Sequence, residues 1–173
     1  FAYTKKLFNE LDGFNSNDKL ASGDDVFLLQ KATKNHLDKI HYLKNPESIV
    51  KTKPENDLFD FFMQRVRWAS KTSGYPSAYA KFLAIIVLSM NLGLVVCFLM
   101  AIIGKFDWSI LLGVFSVKYL VDYWLLFKTN KYLLKGKWIL PMATSVIYPF
   151  YSSLVGVYSL FGSFSWKGRQ FSK

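Results

Sequence analysis

The chain has 173 residues, 51% of them hydrophobic, with 22 Lys and Arg against 12 Asp and Glu, a formal net charge of +10. The length suits one domain of ordinary size, and the uneven spread of apolar residues points to membrane segments. Residues 1–81 hold 13 Lys and Arg against 10 Asp and Glu while residues 82–173 hold 9 against 2, so the excess sits beside apolar runs, as insertion bias dictates, and argues against nucleic-acid binding. The single cysteine, Cys97, lies inside an apolar run and can form no intramolecular disulfide. The chain opens on Phe1, no targeting segment is read there, and the expectation is a C-terminal piece of something longer.

Residues 1–80 read as a mixed α/β soluble segment. Thr4 can cap a short helix "KKLFNEL", with Gly13 placed as a C-terminal stop. After the turn-rich "GFNSNDKLASGDD", Ser22 to Asp25 open a second helix, "DVFLLQKATKN", with Ser22 or Asp24 as its cap. Two short extended candidates, "KIHYL" and "SIVKT", follow around the turn-like "KNPE". Asn56 caps a longer helix over 56–72, which Gly74 and Pro76 close.

Three apolar stretches make up the expected membrane domain, 81–173, with spans about 82–104, 108–127 and 138–162. Phe82 to Ile103 carries no charge over 22 residues, about 33 Å of helix and enough to cross the hydrocarbon. The second, Trp108 to Phe127, contains Lys118 and Asp122 at i, i+4, which can pair on one helical face or line a polar passage. The third holds Pro141 and Pro149 with many Tyr and Ser, and is read as spanning, re-entrant or interfacial. The loop "KTNKYLLKGK" is Lys-rich where "GKFD" holds one Lys, so the former is expected on the cytoplasmic side together with residues 1–80. A fully spanning third segment would put the basic tail "WKGRQFSK" outside, against that rule.

Two constellations could carry chemistry. In the helix over 56–72, Phe59, Phe62, Met63, Val66 and Ala69 form an apolar stripe, and Asp57, Asp60, Gln64, Arg67 and Lys71 a polar one. Gln64, Arg67 and Trp68 stand at i, i+3 and i+4, an amide, a guanidinium and an indole on neighbouring positions of one face. Arginine grips phosphate through two parallel hydrogen bonds and an indole offers a flat surface, which suits a pyrophosphate beside a sugar. The same residues also suit an amphipathic helix on the bilayer, with Arg and Trp at headgroup depth. The acidic pair of "SGDD", Asp24 and Asp25, is either plain helix capping or the source of a general base. His36 and His41 have no partners at metal-ligand spacing and are expected at the surface; no Gly-rich phosphate loop, nucleophile elbow or zinc pattern occurs.

Taken in order, "FAYTKKLFNELDGF", "SGDDVFLLQK", "QRVRW" and the apolar stretches resemble the C-terminal half of a membrane-bound family 2 glycosyltransferase, the group that includes cellulose, chitin and hyaluronan synthases. The segment "KNPESIVKT" and the tail "WKGR" are similar to those of bacterial members. The resemblance implies an α/β fold, the C-terminal part of a GT-A-type nucleotide-sugar transferase domain, followed by transmembrane helices. It implies Asp25 as catalytic base with Asp24 in support, and Gln64, Arg67 and Trp68 as the Gln-x-x-Arg-Trp signature beneath donor and acceptor. It further implies a nucleotide-sugar donor, a glycan or lipid acceptor, contact with membrane lipids, and a divalent metal, Mg or Mn, whose Asp-x-Asp ligands belong to the missing N-terminal half and not to this chain. A lone fragment is then expected to be inactive. The competing readings are a non-enzymatic membrane protein with a small cytoplasmic interaction module, and a channel or transporter subunit built around Lys118 and Asp122.

Overall fold

The computed structural model describes residues 1–15, 23–75, 77–134, 141–166 and 169–171. The elements in order are α1 (Lys5–Glu10), α2 (Asp24–Asn35), α3 (Leu58–Ser70), α4 (Ala78–Ile102), α5 (Trp108–Leu133), α6 (Pro141–Phe161), β1 (Phe164–Trp166) and β2 (Arg169–Phe171). Contacts divide the chain into two units, one of residues 1–43, 54–84 and 158–173, the other of residues 44–53 and 85–157.

The α/β expectation, a C-terminal part of a GT-A-type domain, is overturned: the described residues are overwhelmingly helical, and their strands are the antiparallel ribbon of β1 and β2. The segments "KIHYL" and "SIVKT" form no strand. Short 3-10 turns take Leu37–Lys39 and Pro46–Ser48, the latter capped by Asn45, whose side-chain oxygen accepts from the Glu47 N–H at 3.0 Å. Tyr42 and Val50 are 83% and 84% exposed, so although Ile40 meets the core, neither segment buries a continuous alternating face of the kind that stabilises a strand in a sheet.

In the first unit, Thr4 caps α1 as expected, accepting from the Leu7 N–H at 3.1 Å. Asp12 and Gly13 take left-handed conformations after it, and the Gly13 N–H closes onto the Phe8 carbonyl at 2.9 Å. Leu11, Leu28 and Ala32 form the core between α1 and α2, with Leu7, Phe8 and Ile40 packed against them. Lys31 of α2 donates to the Gly13 and Asn15 carbonyls at 2.9 and 2.7 Å, which fixes the loop leaving α1. Two caps differ from expectation. The α3 cap is Asp57, not Asn56, its carboxylate accepting from the Asp60 N–H at 2.7 Å. Gly23 holds the cap position of α2 with no side-chain bond, and Ser22 lies outside the described residues. Val66 is wholly buried, and Phe62 meets the Tyr158 ring at 5.5 Å.

Helices α5 and, from Ile85 on, α4 belong to the second unit, and both helices are long and apolar enough to cross a membrane. They run further than the expected spans, α4 starting at Ala78 and α5 continuing to Leu133, so Lys128 and Lys131 of the basic loop are helical. Gly104, in the left-handed region, ends α4, and Asp107 caps α5 by accepting from the Ser109 and Ile110 N–H groups at 2.7 and 3.3 Å. These two backbone bonds hold the Asp107 carboxyl below the usual range. Leu94, Ala101 and Leu111 form the core of this unit. Residues 138–140 lie outside the described set. Helix α6 begins at Pro141, where a missing N–H costs nothing, and carries Pro149 within it. A Cβ at Gly156 of α6 would lie 2.5 Å from Leu88 Cδ1, so the Leu88 side chain of α4 packs onto the bare backbone at this glycine.

Lys118 and Asp122 do pair along α5, with only 9% of the Lys118 side chain exposed, and the ammonium also lies over the Tyr148 ring at 5.5 Å from its centre. Removing one partner strands the other in a low-dielectric setting. Asp122→Asn or Lys118→Met alone is therefore expected to destabilise the unit by about 2 kcal/mol in detergent unfolding, against a smaller loss for the double variant. Equal additive losses would show that the pair contributes no coupling.

Candidate functional site

The site begins with the conformation of one residue. Gly23 has φ of 107°, which side chains disfavour, and its carbonyl accepts the Phe27 N–H at 2.8 Å to start α2. A Cβ there would stand 3.1 Å from both Lys71 Cδ and a Phe27 ring carbon. The aliphatic stem of Lys71, just past the end of α3, thus lies directly on the backbone of the α2 entrance. A second contact reinforces the first: the rings of Phe27 and Tyr75 meet at 5.7 Å and 65°.

Asp24 and Asp25 follow Gly23 as the first two residues of α2, both exposed, where the helix dipole favours carboxylates. Arg67 stands one helical turn before Lys71, on the same face of the α3 end. The four charges act on one another. Burial first, and then Arg67, lower the Lys71 pKa, while Asp25 and Asp24 oppose that shift. Burial and then Asp25 push the Tyr75 phenol up. The acidic pair and the arginine of "QRVRW", 42 positions apart in the sequence between Asp25 and Arg67, therefore share one local electrostatic environment.

The other two signature residues are turned to different partners. Gln64 donates its amide N–H to the Glu55 carboxylate. Trp68 is 43% exposed and lies under the Arg65 guanidinium, 4.6 Å from its ring centre, with the Phe61 ring 4.8 Å from the same guanidinium. Arg65 thus serves as the cation on the indole. Neither Arg65 nor Glu55 stands out from motif spacing, although Arg65 sits at i, i+3 from Trp68 and i, i+4 from Phe61. Lys71 could have been found the same way, at i, i+4 from Arg67, but its seat on Gly23 could not.

The arrangement offers an exposed carboxylate pair for accepting a proton and a nearby guanidinium for an anion. It does not offer a metal site: no group of three or more His, Cys, Asp or Glu that could hold a metal ion exists among the described residues. The divalent Mg or Mn implied by the resemblance thus finds no ligand set there, and no chemistry below is routed through it. His36 is half-buried and His41 exposed.

Titration of Lys71 tests the cluster. Because folding lowers its pKa, the unfolded chain holds this proton more tightly, and stability should rise with pH through the titration range of Lys71. In NMR of the lysine Cε signals, Arg67→Met should move the Lys71 midpoint up and Asp25→Asn should move it further down; indifference to both would separate the two halves of the site. Compared with models of protein families, with curated proteins and with solved structures, the chain finds no match.

Proposed function

We propose that the chain serves inverting glycosyl transfer from a nucleotide sugar to a glycan or lipid-linked acceptor at the cytoplasmic face of a membrane. The observation that supports this reading is the convergence of Asp24 and Asp25 with Arg67 through the Lys71 stem on Gly23. A helix cap needs no such neighbour, and a headgroup anchor needs no carboxylates. Two helices able to cross a membrane follow within the same chain, which suits an acceptor or product of the membrane.

In the proposed reaction Asp25 takes the proton from an acceptor hydroxyl as its oxygen attacks the anomeric carbon. The bond from that carbon to the donor's phosphate oxygen breaks, its electron pair leaves with the diphosphate, and Arg67 offsets the charge that grows there. Asp24 supports Asp25 from the adjacent position. Gln64 reaches a ligand only by giving up Glu55, and the exposed part of Trp68 is free to meet a sugar ring. The nucleotide-binding half and its metal ligands are supplied, in this reading, by residues outside this chain.

One observation favours the runner-up, a membrane-surface anchor on a non-enzymatic module. Leu58 and Phe59 at the start of α3 are exposed, an apolar end that suits contact with a headgroup layer.

The two readings part on a mutant. In the intact protein assayed in membranes, Asp25→Asn should cut transfer by about 10²–10⁴-fold while leaving nucleotide binding nearly unchanged. Retained turnover would remove Asp25 as the base. Arg67→Ala should weaken nucleoside diphosphate binding by about tenfold or more; an unchanged dissociation constant would return Arg67 to the anchor.

A further inference from the structure

The Lys118–Asp122 pair of α5 has no part in the proposed reaction, yet it borders a cavity. A hollow of about 360 Å³ lies between α5 and α6, lined among the described residues by Asp122, Leu125, Leu126, Thr144, Ser145 and Tyr148. Its volume falls in the range of small-ligand sites. Asp122, Leu125 and Leu126 share one face of α5, with Lys118 one turn before them. The Lys118 ammonium is engaged: it donates to Asp122 Oδ2 and lies over the Tyr148 ring. Among the described residues Asp122 Oδ1 accepts no bond, and the hydroxyls of Ser145 and Tyr148 make none. Helix α6 buries Ser145 and Ser153 while Ile147, Phe150 and Leu154 are exposed. Polar groups inward and large apolar groups outward are what lipid favours and water does not.

We propose that this cavity binds a neutral lipid through a free hydroxyl, diacylglycerol being the simplest of that class. Charge selects the head group. Lys118 already neutralises Asp122, so a cationic head gains little, and the ammonium is engaged and only 9% exposed, so a phosphate finds no free cation. A hydroxyl fits what remains, donating to Asp122 Oδ1 and accepting from Tyr148 or Ser145. Depth agrees with charge. About 9 Å of helix separates Asp122 from Lys128, the first lysine of the basic end of α5, which marks the headgroup level. The carboxylate thus lies well inside a leaflet whose hydrocarbon is about 15 Å deep. An ionic head group stays above that level, whereas a single hydroxyl reaches it once it has a partner there. Leu125 and Leu126 supply the apolar wall along which an acyl chain lies. The inference does not rest on the glycosyl-transfer reading.

The test is photolabelling of the intact protein in phosphatidylcholine nanodiscs with a diazirine-bearing diacylglycerol, the label being located by peptide mass spectrometry. Label is expected on the peptides of α5 and α6 that line the cavity. Unlabelled diacylglycerol should displace it, and neither phosphatidic acid nor triacylglycerol, which lacks the hydroxyl, should do so. Lys118→Met combined with Asp122→Leu replaces the pair by apolar side chains and should lower labelling about tenfold. Tyr148→Phe combined with Ser145→Ala leaves the ion pair in place, should lower labelling severalfold, and carries the test if the first variant does not fold. Undiminished labelling in either folded variant would overturn the proposal. So would displacement by triacylglycerol, which would make the cavity an apolar crevice, or by phosphatidic acid, which would make it a site for an acidic head group.

Discussion

The candidate site depends on the seat of one lysine stem on one glycine. Gly23 starts α2 at a φ of 107°, and with no Cβ it lets Lys71 Cδ come to 3.1 Å of where that atom would be. Any side chain at this position would meet two obstacles, backbone strain and the Lys71 stem. Because Lys71 follows directly on α3, seating it also brings the end of α3 to the entrance where Asp24 and Asp25 begin. The Phe27–Tyr75 ring contact acts a turn further along each segment and resists sliding between them.

Electrostatics then decides what the entrance can hold. Two exposed carboxylates face water, while the lysine is partly withdrawn from it. Along α3, the cation on Trp68 is Arg65 and the partner of Gln64 is Glu55. The helix therefore commits one of its two arginines, Arg65, to an indole. A ligand that used Gln64 would have to displace the Glu55 carboxylate, in the segment leading into α3.

Much of the local structure was legible in the sequence because it is set by nearest neighbours. Thr4, the stop at Gly13, the long uncharged run after Phe82 and the Lys118–Asp122 pair all follow from spacing alone. What failed was the class of the soluble segment. "KIHYL" and "SIVKT" have strand-like composition, but a strand needs a ladder partner and a face to bury, and Tyr42 and Val50 have no buried face. The caps slipped by one residue because Asn56 and Asp57 are chemically equivalent candidates, and which one caps is decided by where α3 starts. For the site, the residue types in "SGDD" and "QRVRW" were readable. Their convergence was not, because a long-range approach made by a lysine stem leaves no periodic trace in the sequence. The cation on Trp68, by contrast, is a local i, i+3 neighbour, Arg65.

The central claim is that a carboxylate and a phosphate-gripping cation at this entrance perform a single displacement at a sugar carbon. The most direct measurement is the anomeric configuration of the product formed from a labelled nucleotide sugar by membranes containing the intact protein. Incorporation of label with inverted configuration is the result predicted. Incorporation with retained configuration, or no incorporation from any nucleotide sugar, would contradict the claim.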